Sequence, residues 1–224
     1  SGENSGFQVN AGFRIQGNAG RLEYMPKHSF RLFFRQQYGA AKLNYPVFED
    51  SHITEFETLI LRAGVNRSFA GDFSDELGNL DLRENTTYVH DEWARATQIA
   101  MSGAGSHGRF VHLYINGLNW GLYNLVERPD STFSASYLGG EEDEWSSFNH
   151  GGAVSGAIDR FAVLLELARA GGLEEAEKYA TFLEFFDPDQ FSDYVILNWY
   201  GGNQDWPETN WYASVQNPAG RNRF

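Results

Sequence analysis

The sequence predicts an α+β fold in two lobes, a mostly antiparallel β lobe with one main helix over residues 1–127 and a helical lobe over 128–224. Three observations predict it. Arg109 to Ile115, Asn116-Gly117 and Leu118 to Glu127 read as a long hairpin, because Asn-Gly supplies both positive-φ positions of a type I′ turn. Arg128-Pro129-Asp130 then interrupts the second strand. Beyond that break the apolar spacing turns from alternating to helical.

The elements follow in order. Phe7 to Arg14 (FQVNAGFR) and Phe30 to Phe34 (FRLFF) read as strands, with Gly17 and Gly20 in the polar connection after the first. Alternation through Lys27 to Phe34 puts Lys27, Ser29, Arg31 and Phe33 on one face and His28, Phe30, Leu32 and Phe34 on the other. Glu57 to Arg62 is a further short strand, and Gly64 to Asn85 reads mostly as loop. His90 to Met101 places Trp93, Ala96, Thr97 and Ala100 at helical spacing, with acids in the first turn and Gly103 past the end. After the break, Ile158, Phe161, Leu164, Leu165 and Ala168 make one apolar helix face. Pro188 to Trp199 makes a second, through Phe191, Tyr194, Val195 and Leu197.

Composition narrows the function. The 224 residues are 42% hydrophobic with 24 Gly and 6 Pro, a globular balance. A formal charge of −13 opposes nucleic acid, and no basic stripe compensates. No window reaches the roughly 18 apolar residues of a membrane span. With no Cys, thiolate catalysis, disulfides and Cys-ligated metal are excluded together. The six His are scattered without ligand spacing, and Glu141 to Glu144 reads as a solvated acidic loop.

The chemistry concentrates at Asn198 to Tyr212 (NWYGGNQDWPETNWY), directly after an apolar helix. Asp205 and Asn210 stand five residues apart with Pro207 between them, the spacing of a protein-kinase catalytic loop. There an Asp accepts the proton of a substrate hydroxyl, and an Asn ligates a metal bridging the nucleotide phosphates. The residue types suit those tasks, because a carboxylate can take a proton and a neutral amide oxygen can hold a hard cation without adding charge. The same residues also make an ordinary polar turn. Order along the chain favours the first reading: a glycine turn between early strands, a basic residue on the next strand, a helix with N-terminal acids, a ribbon ending in a break, helices, then the 203–210 loop. That succession is protein-kinase-like.

The same residues carry a family resemblance. GFRIQGNAG (Gly12 to Gly20), PKHSFRLFF (Pro26 to Phe34), LILRAG (Leu59 to Gly64), HDEWAR (His90 to Arg95), HLYINGLNWGLYNLVERPD (His112 to Asp130), YLGG (Tyr137 to Gly140) and the Asn203–Asn210 loop resemble, in order, the spore-coat protein H (CotH) kinase family. The block from His112 to Asp130 is the most specific of these. The resemblance implies an atypical kinase that transfers phosphate from ATP to protein Ser or Thr with Mg2+ or Mn2+. By it, Asp205 resembles the catalytic Asp and Asn210 the metal-ligating Asn. Lys27 or Arg31 would clamp phosphate, Gly17 to Gly20 would cover the nucleotide, and Glu92 or Asp91 would pair with the clamping cation. Glu127 would line the adenine or ribose site, or salt-bridge Arg128. The family has a second metal-binding Asp on a later strand, whereas this chain stops at Phe224. The second lobe is therefore expected to be incomplete and this chain alone to be weakly active or inactive.

The acceptor is expected to be a protein segment, drawn by the −13 charge toward Lys/Arg-rich sequence. Location at a spore coat or cell surface follows from the family alone. The alternative is a degenerate kinase-like module for binding or surface adhesion. A glycoside hydrolase using Asp205 and Glu208 is the weakest reading, since nothing sets those carboxyls at a defined separation across a sugar.

Overall fold

A computed structural model describes residues 6–17, 21, 23, 27–64, 87–203 and 206–224. The fold is α+β with antiparallel sheets. By its contacts the chain divides into two units, residues 1–95 with 106–128, and residues 96–105 with 129–224.

The first unit is built on five antiparallel strands. β1 (Gly12–Gln16), β2 (Ser29–Phe33), β5 (Thr58–Arg62), β6 (Gly108–Ile115) and β7 (Leu118–Glu127) lie in the order β1-β2-β5-β7-β6. A two-stranded ribbon, β3 (Leu43–Asn44) with β4 (Glu55–Phe56), stands beside them in sequence. The β6–β7 turn has Asn116 at φ 53° and Gly117 at φ 78°, the conformation its dipeptide predicts. β1 begins five residues later than Phe7, because a strand extends only as far as it has a partner, and the pairing runs from Gly12 opposite Phe33 to Gln16 opposite Ser29.

Period-two alternation sorts the two faces of this sheet. Phe30, Leu61 and Leu125 are successive cross-strand neighbours on one face. There Phe30, Leu61, Ala63 and Tyr123 form a buried cluster. A second cluster joins Phe34, Leu43, Val47, Phe48, Phe56 and Leu59, so that the short ribbon closes over the sheet. Each such aromatic or Leu side chain contributes about 1.5–3 kcal/mol by leaving water. On the opposite face the neighbours are Arg14, Arg31, Ile60 and Val126, with Arg62 and its partner Asn124 two residues further along. That polar face receives α1 (His90–Ser102) through its acidic first turn. A Cβ at Gly108 would lie 2.5 Å from Glu92 Oε2 and 2.9 Å from Arg95 Nη2, so a larger residue there would displace those side-chain ends.

The second unit holds α2 (Ser131–Leu138), α3 (Asp159–Ala170), α4 (Ala176–Leu183) and α5 (Pro188–Tyr200). Asp130 caps α2 by accepting from Phe133 N, and Asp187 caps α5 by accepting from Gln190 N, with Pro188 opening the first turn. The unit is less purely helical than its spacing predicts. β8 (Trp145–Asn149), β9 (Gly152–Ser155) and β10 (Tyr212–Gln216) make a three-stranded sheet in the order β10-β8-β9. β8 reads WSSFN and buries Ser146 and Ser147 as completely as Phe148, so it shows no apolar alternation to find. Phe148, Ala213 and Val215 form this unit's core, packed by Phe161, Trp211 and Phe224.

Candidate functional site

The charged centre of the first unit grows from three consecutive facts of sequence. Arg62 ends β5, Asn124 is its register partner on β7, and Asp91 and Glu92 open α1. Because Arg62 and Asn124 point to the face that α1 covers, the helix acids meet them. Arg62 Nη2 lies 2.5 Å from Asp91 Oδ2, with both side chains about half exposed at 48%. Glu92 Oε2 accepts from Arg95 Nη2 at 2.7 Å, one helical turn on, and from Asn124 Nδ2 at 2.7 Å. Arg95 also donates to Asn124 Oδ1. Burial, and then the neighbouring Arg62 cation, lower the Arg95 pKa from its usual value. The result is an Arg62–Asp91 ion pair and, beside it in sequence, a closed triad of Glu92, Arg95 and Asn124.

Lys27 stands elsewhere. Its ammonium donates to Ala63 O at 3.3 Å and to Leu122 O, and lies 4.3 Å from the centroid of the Tyr123 ring. Tyr123 stacks on Phe30, whose side chain is on the face opposite Arg31. The expected shared face of Lys27 and Arg31 therefore does not form. The cause is local: β2 starts at Ser29, so alternation does not extend back to Lys27. Burial lowers the Lys27 pKa, and burial pushes the Tyr123 hydroxyl, which donates to His28 O, up to about 12.

The acids expected to steady the clamping cation take other partners. Asp91 pairs with Arg62 and Glu92 with Arg95, rather than with Lys27 or Arg31. Arg62 itself has no role in the sequence reading, where LILRAG is a strand end and one block of the family resemblance. Its signal is the combination of third strand of the sheet and following helix acid, which is how a kinase places its β3 Lys and αC Glu. Glu127 is 5% exposed and accepts from His107 N at 2.8 Å, with His107 Nδ1 at 3.1 Å. The bond to Glu127 raises the His107 pKa. Gly17 follows β1 at φ 108°, a conformation that suits glycine, while Gly20 lies outside the described residues.

On the second unit, Asn210 has φ 62°, and its Nδ2 donates to Thr209 Oγ1 at 3.1 Å. The loop is anchored on either side: Trp206 Nε1 donates to Tyr194 OH at 2.9 Å, and Trp211 packs on Phe148, Phe161 and Phe224. Asp205 lies outside the described residues. No group of three or more His, Asp or Glu side chains suited to a metal occurs among the described residues. Of the two residues expected to act in this loop, Asn210 is thus the one that falls among the described residues.

A family model described as CotH kinase protein matches residues 13–153, from β1 into β9. The matched span holds the Arg62–Asp91 pair and ends before the 203–210 loop. No curated protein matches the chain.

Proposed function

The chain belongs to the CotH kinase family, and from that premise we propose that it transfers the γ-phosphoryl group of ATP to a Ser or Thr hydroxyl of a protein. A kinase-type function comes with the family. The observation that supports the finer reading is the Arg62–Asp91 ion pair, a cation on the third strand of the sheet tied to an acid in the first turn of the following helix. A guanidinium is always charged and offers two parallel N–H groups to phosphate oxygens, while the carboxylate fixes its direction.

In the step itself, the acceptor oxygen attacks the γ-phosphorus, the bond from that phosphorus to the β–γ bridging oxygen breaks, and ADP leaves. Asp205 is proposed to take the hydroxyl proton, and Asn210 to supply the amide oxygen for Mg2+ or Mn2+, the metals the family implies. Arg62 would hold the phosphate charge as it redistributes. Glu127, placed by its His107 contact at the end of β7, is proposed to border the base or ribose. Lys/Arg-rich protein segments remain the proposed acceptors and the spore coat the proposed location. Among the described residues no helix is long and apolar enough to cross a membrane.

Thermal-shift and phosphotransfer measurements with ATP and Mn2+, on the chain and on Arg62→Gln, test the reading. Nucleotide should raise Tm in the parent and do so far less in the variant. Equal stabilisation of both, or none of the parent, would contradict it, and the latter would favour the binding-module alternative.

A further inference from the structure

Arg14, Arg31 and Arg35 surround a single ring. Their guanidinium carbons lie 4.9, 4.4 and 5.1 Å from the centroid of Phe33. No two of them can be further apart than the sum of their distances to it. Phe33 points away from the cluster that buries Phe34, yet it is only 9% exposed, so these cationic side chains contribute to its cover. Arg14 and Arg31 are direct register partners on β1 and β2. Like charges set opposite one another destabilise a strand pair.

The usual remedy for such crowding is a carboxylate, and the chain has 30 acids against 17 Lys and Arg. Among the described residues, however, no acid pairs with Arg14, Arg31 or Arg35, while Arg62, Arg95 and Arg223 each have one. Arg31 Nε is buried without a hydrogen-bond partner. A guanidinium held over a ring keeps N–H groups at its edge, and those suit tetrahedral oxyanions that accept several charge-assisted bonds at once.

We propose that Arg14, Arg31 and Arg35, gathered on Phe33, form a binding site for a multiply charged phosphoryl anion of di- or triphosphate type. The site shares its sheet face with Arg62 but is built from different residues. It extends the phosphate role expected for Arg31 and adds two residues with no role so far. It needs no phosphotransfer to be real. The anion has two possible sources, a free condensed phosphate or the tail of a nucleotide.

Calorimetric titration of the chain with tripolyphosphate, ATP and adenosine distinguishes them. Arg14 and Arg35 are exposed, so the Arg14→Gln/Arg35→Gln variant should fold with a Tm close to the parent's. It should bind tripolyphosphate about tenfold or more weakly, and Arg31→Lys should also weaken binding, because an ammonium cannot make the paired bonds. If ATP alone binds, with the same dependence on Arg14 and Arg35, the nucleotide tail is the source and the site stands. Unchanged affinity of the double variant for both anions, or no binding of either by the parent, overturns it. Tripolyphosphate binding retained in Arg62→Gln, together with equal stabilisation of the parent and Arg62→Gln by ATP, would leave this site standing while the kinase reading fell.

Discussion

Asp91, in the first turn of α1, holds the Arg62 guanidinium at the end of β5 with an N–O distance of 2.5 Å. The helix acid thereby ties the polar face of the sheet to the element packed on it. Both groups are half exposed, so solvent screens the pair and its contribution to folding is expected to be about 1 kcal/mol or less. Its contribution to phosphate binding should be larger. Asp91→Asn is predicted to change Tm by only a few degrees while lowering ATP affinity about tenfold, and Arg62→Lys to retain more affinity than Arg62→Gln. Paired Tm and titration measurements check it: a loss of Tm proportionate to the loss of affinity would make the pair structural.

Glu92 presents the opposite balance. Its carboxylate serves Arg95 and Asn124 together, and Arg95 is 13% exposed. Removing the acid would leave a mostly buried guanidinium without its charge partner, a change that costs more than the pair itself contributes. Glu92→Ala is predicted to destabilise by about 2–4 kcal/mol in urea unfolding. Gly108→Ala should reproduce part of that loss, since its methyl group would displace the same carboxylate. A Glu92→Ala chain as stable as the parent would show that Arg95 and Asn124 are held without it.

The His107–Glu127 contact predicts a pH dependence with a definite sign. The bond to Glu127 raises the folded-state pKa of His107 above its ordinary value of 6.5. Folding therefore favours the protonated ring. The added stability is fully present below the unfolded pKa, and it is lost as pH rises through the raised folded value. Urea midpoints measured from pH 5 to pH 9 should fall across that window in the parent and stay flatter in His107→Gln. Parallel profiles for the two chains would remove the pair as the cause.

How much of this was legible in the sequence depended on whether a residue's environment is local. The β6–β7 hairpin followed from Asn116-Gly117, and α1 from its acids and spacing, because turn chemistry and helix periodicity act over a few residues. β8 was not legible, since burying Ser146 relies on hydrogen-bond partners from other segments, Ala157 N and Asn217 Nδ2 on its Oγ. The candidate site divides the same way. Asp91 and Glu92 were found as helix acids, yet Arg62 and Asn124 become their partners only through strand register and the docking of α1. His107 and Glu127 lie 20 residues apart and meet because the ribbon folds back on itself.

The loop that carries Asn210 is held by Tyr194 of α5, whose hydroxyl accepts from Trp206 Nε1. Burial pushes the Tyr194 pKa up, so the hydroxyl stays neutral over any ordinary pH range. Tyr194→Phe removes that one acceptor and keeps the ring that packs edge-on against Trp206. The predicted stability loss is about 1 kcal/mol, with a proportionally larger loss of phosphotransfer if the loop is catalytic. Trp206 fluorescence should report the released indole, and unchanged transfer in a variant with a shifted spectrum would separate the loop from the chemistry.

Lys27 supplies the last test, because it was one of two cations expected to touch phosphate and its ammonium is engaged by the carbonyls of Ala63 and Leu122 above the Tyr123 ring. An ammonium has three donors, and a phosphate oxygen could take over only by competing with those contacts. Its geometry therefore favours a brace between the β2 entry, the end of β5 and β7. Lys27→Met keeps the aliphatic stem over the ring and leaves the two carbonyls without this donor, which should destabilise by about 1–3 kcal/mol. Its affinity for ATP and for tripolyphosphate should stay within about twofold of the parent's, a difference under 0.5 kcal/mol. A tenfold loss of affinity at unchanged Tm would return Lys27 to the phosphate site in place of Arg31.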